Sequence, residues 1–170
     1  MSKTKRIAIT GLFAALAVGL SYVEYLIPVT FIPLPGFKLG IANLAIMAAL
    51  YFFGPVEAAA VSALRLLLTF FLFSNVSSFL YSAAGALLSL SAMILIRRTD
   101  RFSEIGVSVS GAVFHNAGQI TVASALLRGS GVWYYFPALL LAGTVTGLIN
   151  GIILRLLSSP IKRLVKESNA

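Results

Sequence analysis

The sequence predicts an all-α integral membrane protein, a compact bundle of six transmembrane helices with both termini in the cytoplasm. Two global features predict this class: 59% of the 170 residues are apolar, and the mean hydropathy is +0.97. The third is that the apolar residues fall into six runs, most of them close to the ~20 residues that a spanning helix needs. Six such spans use most of the chain, so we predict one transmembrane domain over residues 1–170 with no separate soluble domain.

The six predicted spans cover residues 7–27, 38–53, 56–73, 78–96, 105–127 and 136–157. The first run is too long for the apolar core of a cleaved signal peptide, so we predict that it is retained. Proline, glycine and polar residues separate the runs, and such residues break helices. The breaks are Pro28, Pro33-Leu34-Pro35-Gly36, Gly54-Pro55, Ser74-Asn75, Arg97–Arg101 and Arg128-Gly129-Ser130-Gly131.

The basic residues predict the orientation. If the N-terminus is cytoplasmic, ten lysines and arginines lie inside, whereas Lys38 and Arg128 lie outside. This is the asymmetry of the positive-inside rule, and it explains the net charge of +8 better than a nucleic-acid patch does. Trp133-Tyr134-Tyr135 then fall at the outer interface. The ten inner residues are Lys3, Lys5, Arg6, Arg97, Arg98, Arg101, Arg155, Lys162, Arg163 and Lys166.

Charged residues inside or beside the spans are the first candidates for a site. Arg65 lies midway along the third span, where a charge costs at least ~2.5 kcal/mol, so it needs a partner or a wet cavity. The alternative is a buried pair with a carboxylate or with helix-end carbonyls. Glu24 and Lys38 lie near the outer surface, where they either join the cavity or reach the interface with their polar ends.

The fifth span holds the most informative polar group. His115, Asn116 and Gln119 can project from one side of a helix, because they lie three or four residues apart. Imidazole and amides offer donors and acceptors without a fixed charge, which suits a polar ring or headgroup better than a metal. The alternative is a bridge between helices. Asn43, Tyr81 and Ser82 lie in the outer halves of their spans and are weaker candidates for the same cavity.

Two ladders of small residues have a spacing of four. Such ladders let helices approach closely in a membrane. They serve either packing within the bundle or docking of a partner membrane protein. The first ladder is Gly11, Ala15 and Gly19, and the second is Gly143, Gly147 and Gly151.

The sequence gives little support for catalysis. The five acids include no clustered pair that could hold magnesium and a diphosphate. There is no phosphate-binding glycine loop, no nucleophile elbow and no zinc-binding helix motif. Cysteine is absent, which excludes thiolate chemistry. We therefore predict no enzyme, no catalytic residue, no metal and no cofactor.

Five stretches resemble the Gx transporter family, which is also labelled heptaprenyl diphosphate synthase component I. The resemblance covers nearly the whole chain, and it is most specific in the first and the last of the five. In chain order they are Pro35-Gly36-Phe37-Lys38-Leu39-Gly40-Ile41-Ala42-Asn43, Phe79-Leu80-Tyr81-Ser82, Gly85 with Leu88-Ser89-Leu90, Gly111-Ala112, and His115-Asn116-Ala117-Gly118-Gln119.

The resemblance implies a transporter fold rather than a synthase, because the acidic diphosphate motifs are missing. The family is similar in size and topology to the substrate-binding S components of energy-coupling factor transporters. Those bind vitamins and partner a transmembrane coupling protein with ATPases. Their docking motif has alanines where this chain has Gly11, Ala15 and Gly19. Some family members belong to systems that deliver flavin, so a flavin is a candidate ligand in a bacterial cell membrane.

Three functions follow as hypotheses. The first is a membrane transporter, or its substrate-binding subunit, for a small polar or anionic molecule in an outward-facing cavity. Arg65 or Lys38 would pair with the anionic group. The second is an assembly subunit of a larger membrane complex that does not transport. The third is a membrane component of isoprenoid diphosphate synthesis.

Overall fold

A computed structural model describes residues 3–27, 38, 40–127 and 130–167, with side chains up to residue 158. These residues form α-helices and one short 3-10 helix, and the described part of the chain contains no β-strand. The helices are α1 (Lys3–Leu26), α2 (Asn43–Phe52), α3 (Pro55–Phe73), α4 (Val76–Arg97), α5 (Glu104–Leu126) and α6 (Phe136–Glu167), with the 3-10 helix at Ser130–Tyr135.

Several helices are long and apolar enough to cross a membrane. Within the described residues there are four such segments: α1, α3, α4 and residues 131–158, which include most of α6. The chain is therefore a multi-pass membrane protein. The other two predicted spans have specific differences. α2 has only ten residues, about 15 Å of helix, and α5 has the length to span but carries polar side chains that reduce its hydropathy.

The second predicted span, residues 38–53, is helical only in its later part. Lys38 and Gly40 lie outside any helix, Ile41 and Ala42 form a turn, and α2 begins at Asn43. Gly40 has φ of +91°, a conformation that strongly favours glycine. Most of the PGFKLGIAN stretch before it lies outside the described residues.

Glycine also shapes the connection between α2 and α3. Gly54 has φ of +113°, and its N–H donates to Ala49 O at 3.1 Å. Pro55 occupies the first position of α3, where a missing N–H does not disturb the helix. The tight Gly54-Pro55 turn is thus possible because each residue supplies the backbone geometry that its position requires.

The two small-residue ladders have different surroundings. On α6, a Cβ added at Gly147 or Gly151 would lie 2.7 Å from the Cα of Val109 or Ile105 on α5. That ladder lets α5 and α6 pack closely. On α1, a Cβ at Gly11 or Gly19 would meet nothing within 4 Å, and the whole first ladder is exposed. The α1 ladder therefore faces away from the described bundle.

Two apolar clusters occupy opposite ends of the bundle, and we call the end where α1 begins the inner end and the end with the 3-10 helix the outer end, as labels that assign no side of the membrane. The inner cluster surrounds α2, which buries seven of its ten residues, and it includes Met93 of α4, Val107 of α5 and Leu154 of α6. The outer cluster joins Tyr81, Ile120 and other residues beside the 3-10 helix. Polar residues lie between these clusters along α4, α5 and α6.

An ion pair and an arginine cap fix the inner end. Arg6 of α1 donates through Nε and Nη2 to the Glu57 carboxylate at the start of α3. Arg97 donates to Leu50 O at 2.5 Å, and its guanidinium lies 4.8 Å from the Tyr51 ring centroid. These contacts connect α1 to α3 and α4 to the end of α2.

Candidate functional site

Buried polar side chains lie inside the bundle, and we call eleven of them the polar core. Every helix contributes to it, and so does Lys38 before α2. All its members are at most 9% exposed. They are Ser21, Glu24, Lys38, Asn43, Arg65, Ser82, Ser89, His115, Asn116, Gln119 and Asn150.

Three members of the polar core hold the backbone between Lys38 and Ile41. The Gln119 side chain accepts from Lys38 N at 3.2 Å and donates to Lys38 O at 3.1 Å. Glu24 Oε1 accepts from the N–H of Gly40 and from that of Ile41, the latter at 3.0 Å. Asn150 Nδ2 donates to Gly40 O at 3.1 Å. We call these contacts the backbone clamp.

The backbone clamp changes the interpretation of Gln119. Both atoms of its amide are bonded to one residue, in the way that a neighbouring strand would bond it. The side chain is 0% exposed, so it has little left to offer a ligand. Gln119 therefore acts by positioning Lys38, whose backbone it fixes.

Arg65 has the opposite character. Its side chain is 2% exposed, and Nε and Nη2 have no hydrogen-bond partner among the described residues. It interacts electrostatically with Glu24, Lys38 and His115. Glu24 Oε1 bonds backbone N–H groups and Oε2 has no partner within the described ranges, so Arg65 does not pair directly with Glu24 there. The predicted alternative of an ion pair with a carboxylate is therefore not formed with Glu24, and the alternative of bonds to helix-end carbonyls stays a prediction.

His115 lies between two glycines. A Cβ added at Gly85 would be 2.9 Å from the imidazole ring, and one at Gly40 would be 3.9 Å from it. The ring is 1% exposed, and neither of its nitrogens has a hydrogen-bond partner in the part of the chain that the structure describes. The imidazole thus occupies a space that only glycine at position 85 leaves open.

The two asparagines are only partly satisfied. Asn116 Nδ2 donates to Leu139 O at 2.6 Å, and Gly143 makes room for it, since an added Cβ would come within 2.5 Å of that nitrogen. Asn116 Oδ1 and both amide atoms of Asn43 lack partners within the described ranges. Asn43 therefore presents a complete donor and acceptor pair.

The structure places most of the predicted site residues in the polar core and one of them outside it. Arg65, His115, Asn116, Gln119, Lys38 and Asn43 all belong to the polar core. Tyr81 is buried as well, but it packs in the outer apolar cluster. Sequence reasoning selected Ser82 but not Asn150, Ser21 or Ser89, and it treated Glu24 as an open case. Glu24 and Ser21 share a helix face because they lie three residues apart, and this spacing was the available signal.

Many of the buried polar side chains have atoms without a hydrogen-bond partner. Eleven buried side-chain atoms lack a hydrogen bond within the described residues, and all eleven belong to the polar core. In folded proteins the great majority of buried polar atoms have partners, protein or water. Such a group of unpaired donors and acceptors is typical of a site that water or a ligand fills. No cluster of three His, Asp or Glu side chains that could hold a metal occurs in the described ranges.

An apolar groove lies beside the polar core, between α1, α2 and α6. It has a volume of about 510 Å³ and is lined by Leu20, Leu44, Val145 and Ile149 among others. Ile41 and Asn150 also line it, and both take part in the backbone clamp. The groove and the polar core are therefore adjacent.

The fold and this site define a class, a multi-pass membrane protein with buried polar side chains inside its helix bundle. The chain belongs to the heptaprenyl diphosphate synthase component I family, whose model matches residues 13–157. The match confirms the family resemblance. No curated protein and no solved structure matches the chain.

Proposed function

We propose that this chain is a membrane transporter, or the substrate-binding subunit of one, and that a small polar or anionic molecule binds in the polar core. The observation that carries the proposal is that eleven buried polar atoms, on residues of five different helices, lack a hydrogen-bond partner within the described residues. An unsatisfied buried polar group costs ~1–3 kcal/mol. A molecule that supplies the missing partners would recover this cost.

The proposal includes six spans with both termini in the cytoplasm. α5 can form a span although it is polar, because its polar side chains point into the bundle, where ten of its residues are buried. Inward-facing polar residues are the usual arrangement in membrane helices that line a pathway. α2 and the clamped residues before it together form the remaining span. The basic residues support this orientation, in a bacterial cell membrane.

The proposed role has no catalytic step. The synthase in the family's name describes a reaction that needs clustered carboxylates for magnesium and diphosphate. Here Glu24 bonds backbone N–H groups and Glu57 bonds Arg6. We therefore propose a non-enzymatic subunit that has neither a cofactor nor a metal of its own.

The exposed ladder on α1 supports docking of a partner. Similarity to the S components of energy-coupling factor transporters would make that partner a transmembrane coupling protein with ATPases, and a flavin or another vitamin-like compound the transported ligand. An assembly subunit that does not transport is the second candidate, since the same ladder would serve it. The two differ in whether the polar core binds a small molecule.

Mass spectrometry of the detergent-purified protein distinguishes a substrate-binding protein from an assembly subunit. Native spectra should contain a protein–small-molecule complex whose bound mass disappears on denaturation. An Asn43→Ala variant should lose that mass, whereas an Asn75→Ala variant, altered at the exposed cap of α4, should keep it. A folded wild-type protein that carries no small molecule, and that binds none from a metabolite extract, would favour the assembly subunit.

A further inference from the structure

The free side of the Arg65 guanidinium indicates the chemistry of the ligand. Nε and Nη2 are the two nitrogens that lack a partner among the described residues, and they lie along one edge of the planar group. An edge with two adjacent N–H groups matches an oxyanion, either a carboxylate or a phosphate. In the same chain, the Nε and Nη2 of Arg6 both donate to one carboxylate oxygen, Glu57 Oε1.

The charges of the polar core indicate how many negative charges the ligand carries. Arg65 and Lys38 are the buried cations and Glu24 is the buried carboxylate. We count His115 as neutral, because its ring is 1% exposed and neither ring nitrogen has a hydrogen-bond partner within the described residues to stabilise a charge. The polar core then carries one excess positive charge. An uncompensated charge is expensive in a membrane interior, and one negative charge on a ligand would cancel it.

Glu24 does not neutralise Arg65 by direct contact. Its Oε1 is occupied by the N–H groups of Gly40 and Ile41, and its Oε2 has no partner in the described part of the chain. Glu24 and Arg65 interact electrostatically without touching. Glu24 Oε2 is therefore a second unpartnered atom within the described residues, and a ligand that carries an N–H or O–H group can donate to it.

We propose that the substrate is a monoanion whose carboxylate or phosphodiester group binds side-on to the Nε–Nη2 edge of Arg65 and that also donates a hydrogen bond to Glu24. This inference rests on the proposed function and names the class of its substrate. It excludes neutral molecules, because they leave the excess charge uncompensated. It also disfavours dianions, because they would reverse the sign of the net charge of the polar core.

Thermal unfolding in detergent with simple probes tests the proposal at constant ionic strength. Acetate and dimethyl phosphate are monoanions, acetamide is the neutral analogue of acetate, and sulfate is a dianion. Ligands that bind the native state raise the melting temperature. We expect at least one monoanion to stabilise the protein more than acetamide and sulfate do, and the better monoanion to identify the group as carboxylate or phosphodiester. If acetamide or sulfate raises the melting temperature as much as the better monoanion does, the proposal is overturned. It is also overturned if neither monoanion raises the melting temperature.

Two arginine variants test whether the monoanion binds at Arg65. Arg65→Lys keeps the charge but lacks the two-nitrogen edge, so the monoanion should bind at least tenfold more weakly. Arg6→Lys changes the matched arginine outside the polar core and should leave the affinity unchanged. Unchanged affinity in Arg65→Lys would overturn the proposal. If Arg65→Lys fails to fold, the wild-type comparison of acetate with acetamide decides by itself.

The mass of the co-purified molecule separates failure of this inference from failure of the proposed function. A neutral or dianionic molecule bound in the polar core would overturn the monoanion while leaving the binding role intact. Absence of any bound molecule, together with no stabilisation by any probe, would overturn both. A bound monoanion that Arg65→Lys releases would support both.

Discussion

Among single residues, Arg65 and Gln119 show two different uses of a buried polar group. Both lie in apolar surroundings, where their placement is expensive. The amide oxygen and the amide nitrogen of Gln119 each form a hydrogen bond with the Lys38 backbone. Arg65 Nε and Nη2, by contrast, have no partner within the described ranges. Both residues are polar side chains inside long apolar runs, where burial is costly, and the sequence alone marks them as candidates for this reason. Their roles depend on contacts across 81 positions of chain, which no local pattern reveals.

Removing the Gln119 side chain should destabilise the protein. Gln119→Ala deletes two buried hydrogen bonds and leaves Lys38 N and O unpaired, a loss of ~1–3 kcal/mol for each stranded group. Thermal unfolding in detergent should show a clear decrease in melting temperature. Thr121→Ala, an exposed change one half-turn further along α5, is the control and should melt like the wild type. Equal melting of both variants would show that the backbone clamp contributes nothing to stability.

A methyl group at Gly85 should be poorly tolerated. In Gly85→Ala the new Cβ would lie 2.8 Å from His115 O and 2.9 Å from the imidazole, and such overpacking costs ~1–3 kcal/mol. Gly19→Ala places the same methyl where nothing lies within 4 Å. We expect a lower melting temperature for the first variant and an unchanged or higher one for the second. A Gly85→Ala protein as stable as Gly19→Ala would contradict the described position of His115.

Among elements, the helices agree better with the sequence than the segment before α2 does. Long apolar runs with proline or glycine at their ends predict α1, α3 and α4 to within a few residues, because propensity and helix breaks are local properties. Helix α2 starts five residues later than the predicted span, at Asn43 rather than Lys38. The cause is not local, since α1, α5 and α6 supply the side chains that hold residues 38–41 in a non-helical form.

The two small-residue ladders should respond differently to a bulky residue. Ala15→Leu adds volume on the exposed face of α1, so the protein should stay folded but lose a partner that docks there. Gly147→Leu should disrupt folding, because even a Cβ there would lie 2.7 Å from the Val109 Cα. Co-purification and melting temperature measure the two effects. If Ala15→Leu lowers the melting temperature as much as Gly147→Leu does, the α1 ladder is a packing surface.

For the whole molecule, hydropathy and charge predict a membrane bundle but not the grouping of the polar residues within it. Along α5 the order is apolar Val107, polar His115 to Gln119, then apolar Ile120, and sequence alone does show this alternation. It does not show that Asn150 and Ser89, on other helices, belong to the same polar core. That grouping follows from how α4, α5 and α6 pack, which depends on close glycine contacts.

The proposed orientation of the whole bundle has its own test. Reporter fusions at both termini and in the Arg97–Arg101 loop should be cytoplasmic, and fusions near Ser74 or Gly129 should be external, because the basic residues favour the inside. Alkaline phosphatase and a fluorescent protein give opposite readouts and check each other. An external C-terminus would mean an odd number of spans and would contradict the six-span proposal.

The most direct test of the central claim, that the polar core is a binding site, compares folding with affinity in two arginine variants. The measurement is thermal unfolding together with the dissociation constant of the co-purified molecule, for Arg65→Gln and for Arg6→Gln. Water in a cavity can replace a lost partner, so we expect Arg65→Gln to stay folded but bind tenfold or more weakly, about 1.4 kcal/mol. Arg6→Gln, which breaks the pair with Glu57, should keep its affinity even if its melting temperature falls. An Arg65→Gln protein that melts far lower yet binds with wild-type affinity while folded would contradict the claim and make the polar core a structural bridge.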